Sequence, residues 1–145
     1  MQVRHILEIK GREVATTPGV TTLLEATRAL ARRRIGALVV TDAEGALAGI
    51  ISERDLVNAI ARHGAGALDD AVSLYMTRSP TTCAEGDPVD QIMEMMTTGR
   101  FRHVPVLDGD ERLCGMISIG DVVKSRIDET VREAAALRDY ISATA

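Results

Sequence analysis

Leu47-Ala48-Gly49-Ile50-Ile51-Ser52-Glu53-Arg54-Asp55-Leu56-Val57 returns 66 residues later as Leu113-Cys114-Gly115-Met116-Ile117-Ser118-Ile119-Gly120-Asp121-Val122-Val123, with six identities in eleven positions. Outward from this stretch, positions 14 to 60 lie on 80 to 126 without a gap, and ten of the 47 pairs are identical. A unit used twice implies two similar subdomains and two related clefts. The organisation expected is residues 1–66 for an N-terminal segment and the first copy, 67–126 for the second copy, and 127–145 for a C-terminal amphipathic helix.

Each copy reads as strand, helix, strand, strand, helix, which predicts an α/β (α+β) fold of two like halves. In the second copy Thr81-Thr82-Cys83 is β-prone. Asp87 is then expected to cap a helix with Pro88 at its first position, and Val89, Ile92, Met93 and Met96 form one apolar face. The first copy opens its helix on Thr22-Leu23-Leu24-Glu25, a capping-box pattern, with Leu23, Ala26 and Leu30 on the matching face. Paired strands come next, Ala37–Val40 with Ala48–Ile51 and His103–Leu107 with Cys114–Ile117. Pro105 inside such a strand predicts an edge or a bulge. The linker Gly64-Ala65-Gly66-Ala67-Leu68-Asp69-Asp70 comes after a helix rather than a strand and reads as a C-cap and connector, not a phosphate loop. Ile127, Val131, Ala134, Leu137 and Ile141 form the apolar stripe of the C-terminal helix, and Val3-Ile6-Leu7 a cluster expected to pack across the module.

Composition narrows the function. With Phe101, Tyr75 and Tyr140 as its only aromatics and a formal net charge of -4, the chain offers neither a stacking platform nor a basic face to nucleic acid. The run Arg32-Arg33-Arg34 is short and suits the last turn of a helix. No stretch approaches the roughly 20 apolar residues of a membrane span, and no secretory signal opens the chain, so a cytoplasmic location is expected. Cys83 and Cys114 stand 31 residues apart in apolar contexts without a Cys-x-x-Cys pattern, which predicts inert thiols. His5, His63 and His103 have no metal-ligand spacing to them, and no nucleophile has its base. Neither an enzyme nor a metal site is expected.

Ser52-x-x-Asp55 and Ser118-x-x-Asp121 both end a strand and open a helix. A capping box accounts for the residue types without any ligand. The context also fits a nucleotide. Gly49 and Gly115 stand three residues earlier within strands, where glycine marks a close approach, and a helix N-terminus favours an anion. A carboxylate there can accept both ribose hydroxyls, as in dinucleotide folds.

This pattern resembles the cystathionine-β-synthase (CBS) domain, and the chain over roughly residues 10 to 126 resembles a stand-alone CBS pair, or Bateman module. Arg100-Phe101-Arg102-His103-Val104-Pro105-Val106 and Gly115-Met116-Ile117-Ser118-Ile119-Gly120-Asp121-Val122-Val123-Lys124 carry the likeness. The resemblance implies β-α-β-β-α copies packed about a pseudo-twofold axis, a homodimer, and adenosine ligands (AMP, ADP, ATP, S-adenosylmethionine, NAD(H)) between the copies, with no catalytic cofactor. Carried over by residue, it implies that Ser118 and Asp121 hold a ribose in one cleft and Ser52 and Asp55 in the other. Backbone groups of Thr82-Cys83 and Thr16-Thr17 would meet the adenine edge. Arg102 and His103 would bind phosphate, with Pro105 in the same motif. The expectation is that Arg102 and His103 serve the Ser118–Asp121 cleft, because the first copy has Gly36 and Ala37 at the matching positions, with Arg54 or Arg34 as substitutes. The implied function is adenine-nucleotide sensing on behalf of an unidentified partner protein. The competing class is an interaction scaffold with empty clefts.

Overall fold

The computed structural model describes residues 1–144, with helices α1 (Val3–Lys10), α2 (Leu23–Arg33), α3 (Glu53–His63), α4 (Val89–Gly99) and α5 (Ile119–Thr144). Strands β1 (Thr16–Pro18), β2 (Ala37–Thr41), β3 (Leu47–Ser52) and β4 (Thr77–Arg78) form one sheet in that order; β5 (Cys83–Ala84), β6 (His103–Leu107) and β7 (Leu113–Ser118) form the other. In each sheet the first strand runs parallel to the second across a helix, and the second and third make an antiparallel hairpin. Equivalent aspartates shape the two hairpin turns: Asp42 Oδ1 accepts from the Glu44 and Ala46 N–H groups, and Asp108 Oδ1 from those of Asp110 and Arg112.

Local chemistry sets the helix starts. Thr22 Oγ1 accepts from the Glu25 N–H at 3.2 Å and caps α2. At α4 the expected arrangement shifts by one residue. Pro88 is itself the N-cap, and Asp87 Oδ2 instead accepts from the Ala84 N–H at 2.9 Å, closing the turn before the helix. Val89, Ile92 and Met96 are buried as the apolar spacing required. Gly64, at φ 76°, ends α3, and the linker continues as two 3-10 turns, Ala65–Asp69 and Val72–Leu74.

The segment preceding each copy crosses to the sheet of the other. Val3 N–H donates to the Asp87 carbonyl at 3.0 Å and Arg4 N–H to Glu85 at 2.9 Å. In mirror fashion Val72 N–H donates to Thr21 at 2.8 Å and Ser73 N–H to Gly19 at 3.1 Å. Thr21 and Gly19 lie 66 positions before Asp87 and Glu85, so the exchange is reciprocal, as a pseudo-twofold relation demands. Val3, Ile6 and Leu7 are buried with Ile92, Met96, Val104 and Ile117, while Ala67 and Val72 are buried with Leu23, Leu38, Ile51 and Leu56. Each core is therefore completed by chain that lies outside its own copy. Every fully buried Leu, Ile or Val contributes about 1.5–3 kcal/mol, so α1 is an integral part of the second core.

Gly49 and Gly115 show what the close approach is. A Cβ on Gly49 would lie 2.7 Å from Met76 Sδ and 2.7 Å from the Thr77 carbonyl; one on Gly115 would lie 2.6 Å from Leu7 Cδ2. The crossing segments, not a ligand, occupy those positions.

Pro105 lies in β6, the central strand of its sheet, rather than at an edge; the register shift comes one residue later, between Val106 and Leu107. The ladder is interrupted on the β5 side. Val39, its counterpart, donates to the Ala15 carbonyl at 3.0 Å. Proline has no N–H to give, so the matching bond to Thr81 is absent and β5 begins one pair later than β1.

The last amphipathic segment is not a separate helix: α5 runs unbroken from Ile119 for 26 residues. Ile127, Val131, Leu137, Tyr140 and Ile141 are all exposed on it. Ile92 and Met96, by contrast, are 0% and 3% exposed, so these two residues add nothing to an apolar surface patch.

Candidate functional site

The two Ser-x-x-Asp motifs fold identically and end in different surroundings. Ser52 N–H and Oγ–H donate to Asp55 Oδ2 at 2.8 and 3.0 Å, and Asp55 N–H donates to Ser52 Oγ at 3.3 Å. Ser118 N–H donates to Asp121 Oδ2 at 2.8 Å, and Asp121 N–H returns to Ser118 Oγ at 3.2 Å. Both are capping boxes that hold a carboxylate at a helix N-terminus, and the capping bonds account for the residue types without a ligand. At Asp55 only Oδ2 is engaged, and Oδ1 has no protein donor among the described residues.

Around Asp55 lies a cleft of about 460 Å³ between the copies. Its first-copy wall is Gly36, Ile50, Ser52, Glu53, Arg54 and Asp55; Thr77 and Ser79-Pro80-Thr81 form the rim, and Gly99 to His103 close it from the second copy. The geometry corrects the expected grouping. Arg102 and His103 line the cleft of Ser52 and Asp55, while His103, paired in register with Ser118 and felt by Lys10 and Asp121, also borders the second motif. The pseudo-twofold relation turns the start of β6 toward the first copy, where Gly36 leaves room: a Cβ there would sit 3.2 Å from the His103 ring. Arg54 Nη1 reaches across to the Arg100 carbonyl at 3.2 Å and ties the copies together at the cleft.

Three arginines (Arg54, Arg100, Arg102) face two carboxylates (Glu53, Asp55) in this lining, giving a cationic bias. Burial lowers the His103 pKa and the Lys10 charge adds to that, against opposite effects of Glu53 and Asp121, with Arg102 lowering it least. The imidazole is therefore neutral at physiological pH and able to accept or donate one hydrogen bond. Phe101, packed on Gly99 so closely that a Cβ there would lie 2.2 Å from its ring, is the one aromatic in the lining.

Of the other residues expected at the site, Thr82 and Cys83 stand next to the cleft but outside its lining. Thr81, freed from the ladder by Pro105, takes the rim position instead. Cys83 is buried in the second core, where burial pushes its thiol up to about 12. Thr17 is buried and donates through Oγ1 to Thr21 Oγ1 at 2.7 Å, while Thr16 is exposed. Pro105 is buried in β6 behind the cleft wall. Arg34 lies outside the lining. Sequence reasoning missed Thr77, Ser79, Pro80, Thr81, Arg100 and Phe101. The missing N–H of Pro105 was the one available signal, since it predicts a free carbonyl at position 81.

Asp121 meets a different neighbour. Lys10 Nζ donates to Asp121 Oδ2 at 2.7 Å and to the Met116 carbonyl at 2.8 Å. Burial alone would raise the Asp121 pKa, but the Lys10 ammonium and the Ser118 N–H outweigh it and hold the carboxyl below its usual range.

The CBS domain matches this chain twice, over residues 6–62 and 70–128. The chain belongs to the CBS-domain family. As a CBS pair it is similar to the CBS-domain containing protein ATU1752 from Agrobacterium tumefaciens, at 49% identity and a TM-score of 0.85, over 87% of this chain and 99% of that one. It is also similar to the CBS domain protein PAE2072 from Pyrobaculum aerophilum complexed with AMP, at 28% identity and a TM-score of 0.75, over 83% and 89% of the two chains. The CBS domain pair of protein MJ0100, in complex with 5'-methylthioadenosine and S-adenosyl-L-methionine, matches at 26% identity and a TM-score of 0.79, over 89% and 98%. Several plant CBS proteins that it matches are longer, and the chain spans 23% of their length. No helix of the described residues is long and apolar enough to cross a membrane.

Proposed function

We propose that this CBS pair binds a phosphorylated adenosine in the cleft of Ser52 and Asp55 and, without catalysing a reaction, reports its occupancy to a partner protein. The observation that carries the reading is the convergence, in one cleft between the copies, of the Asp55 carboxylate with Arg54, Arg100 and Arg102. Asp55 supplies a charged acceptor for vicinal ribose hydroxyls, and the arginines supply forked donors for phosphate. The Thr81 carbonyl at the rim is an acceptor suited to an exocyclic amine, which favours adenine. AMP and S-adenosyl-L-methionine in the related CBS pairs support the ligand class. Because the lining comes from both copies, a bound ligand bridges them and shifts the population of their relative arrangements, which is the signal a partner can sense.

The test is calorimetric titration of wild type and Arg102→Ala with AMP and with adenosine. Loss of one charge-assisted contact, about 1.5–3 kcal/mol, should weaken AMP roughly ten- to hundredfold and leave adenosine within about threefold. An effect blind to the phosphate overturns the assignment.

We place a second copy of the chain on α5. Ile127, Ala134, Leu137 and Ile141 recur at steps of 7, 3 and 4 along its exposed end, the spacing of a helix-on-helix seam. Sedimentation at micromolar concentration should show a dimer that Leu137→Glu dissociates; a 15.6 kDa species for the wild type counts against it.

A further inference from the structure

Between the two halves, the crossing segments correspond residue by residue. Val3 and Val72, and Arg4 and Ser73, make matched backbone bonds, and Leu7 and Met76 cover the matched glycines 115 and 49. Three positions further on, the correspondence pairs Lys10 with Ser79. Ser79 is an exposed rim residue of the Asp55 cleft. Lys10 instead sends its ammonium onto the Met116 carbonyl and Asp121 Oδ2, at 2.8 and 2.7 Å. Met116 and Asp121 are the counterparts of Ile50 and Asp55, both of which line the open cleft.

We infer that Lys10 is a specificity-determining residue that occupies the second of the two related clefts, standing on Asp121 where a ribose would otherwise bind, so that the chain takes up one nucleoside instead of two. This rests on the reading of the Asp55 cleft as a nucleoside site. Chemistry makes the exclusion effective. The ammonium takes Oδ2, the oxygen that also accepts the Ser118 N–H, and places a full charge where a vicinal diol would approach the carboxylate. Lys10 is also held in place: Val3, Ile6 and Leu7 are buried beneath it, Gly11 at φ 100° ends the helix directly after it, and Arg12 pairs with Glu85 just beyond. To admit a ribose, the ammonium has to leave Asp121. The residues around the second cleft offer less to offset that loss: Gly36, Ala37 and Gly120 are the counterparts of Arg102, His103 and Arg54, and of the three arginines of the open cleft only Arg100 has a basic counterpart, Arg34.

The experiment counts binding sites for adenosine, up to millimolar concentration, by equilibrium dialysis of the full chain. It uses wild type, Asp55→Ala, Lys10→Ser, Lys10→Ala and Lys10→Ser with Asp121→Ala. Lys10→Ala preserves helix propensity at the end of α1, should the serine variant fold poorly. The expected result is one adenosine per wild-type chain, lost in Asp55→Ala. Both Lys10 variants should bind two, and Asp121→Ala should return the serine variant to one. The new site should bind AMP no better than adenosine. Two sites in wild type, or one in both Lys10 variants, overturn the inference and leave the Asp55 reading intact. No site in wild type but one in Lys10→Ser, removed by Asp121→Ala, overturns the Asp55 reading and sustains the role of Lys10. No binding by any variant overturns both.

Discussion

Asp55→Ala and Asp121→Ala remove the same atom group from the same local motif, and they should differ in what they cost. Each aspartate accepts the N–H of its own serine at 2.8 Å, so each variant loses the reciprocal half of a capping box, about 1 kcal/mol, while the serine Oγ still caps the helix. Asp121 also loses its pairing with Lys10. That pair is 36% and 22% exposed and partly screened, so it adds no more than about 1 kcal/mol. For a chain of this size these losses lower the melting temperature by about 2–8 °C, with Asp121→Ala at least as destabilised as Asp55→Ala. Affinity should go the other way. Asp55→Ala deletes a charged acceptor for ribose hydroxyls, about 1.5–3 kcal/mol, or roughly a ten- to hundredfold weaker adenosine complex. Asp121→Ala should leave adenosine within about threefold of wild type, because its carboxylate already belongs to Lys10. Thermal unfolding followed by circular dichroism gives the first quantity and calorimetric titration below the melting range gives the second. Equal affinity losses in the two variants would refute the division of labour between the motifs.

Gly49→Ala should destabilise by about 1–3 kcal/mol in denaturant titration, because the new methyl meets the immovable Thr77 carbonyl, whereas Gly109→Ala, with nothing within 4 Å, should stay within about 0.5 kcal/mol. Stability should fall on acidification in two windows. The depressed His103 pKa means the unfolded chain takes up a proton first, so stability declines as pH drops below about 6.5; the depressed Asp121 pKa gives a second decline below about 3.9, as pH falls toward its folded value. His103→Gln should flatten the first window and Lys10→Met the second in urea midpoints measured across pH. With its thiol pushed up to about 12, Cys83 carries about one part in ten thousand thiolate at pH 8. A thiol reagent should therefore leave it unmodified in the native protein while the partly exposed Cys114 reacts slowly, and two fast equivalents would contradict this.

The repeat made the two halves, their element order and the Ser-x-x-Asp corners legible in the chain, because capping, alternation and helical periodicity are local properties that act over a few residues. The buried Val89, Ile92 and Met96 stripe obeys the same local rules, whereas the atoms that crowd Gly49 and Gly115 come from the crossing segments. What the sequence could not show is which copy each candidate side chain faces. Arg102 and His103 belong by position to the second motif yet line the cleft of the first, since the packing builds that cleft from both copies. Lys10 lies 111 positions before Asp121, outside any repeated motif, and only the crossing of α1 onto the second sheet brings its ammonium to that carboxylate. Two motifs of the same residue types end beside an open cleft and beside the Lys10 ammonium because their neighbours arrive from distant chain, and a pairing of that kind exists only once the two cores have packed.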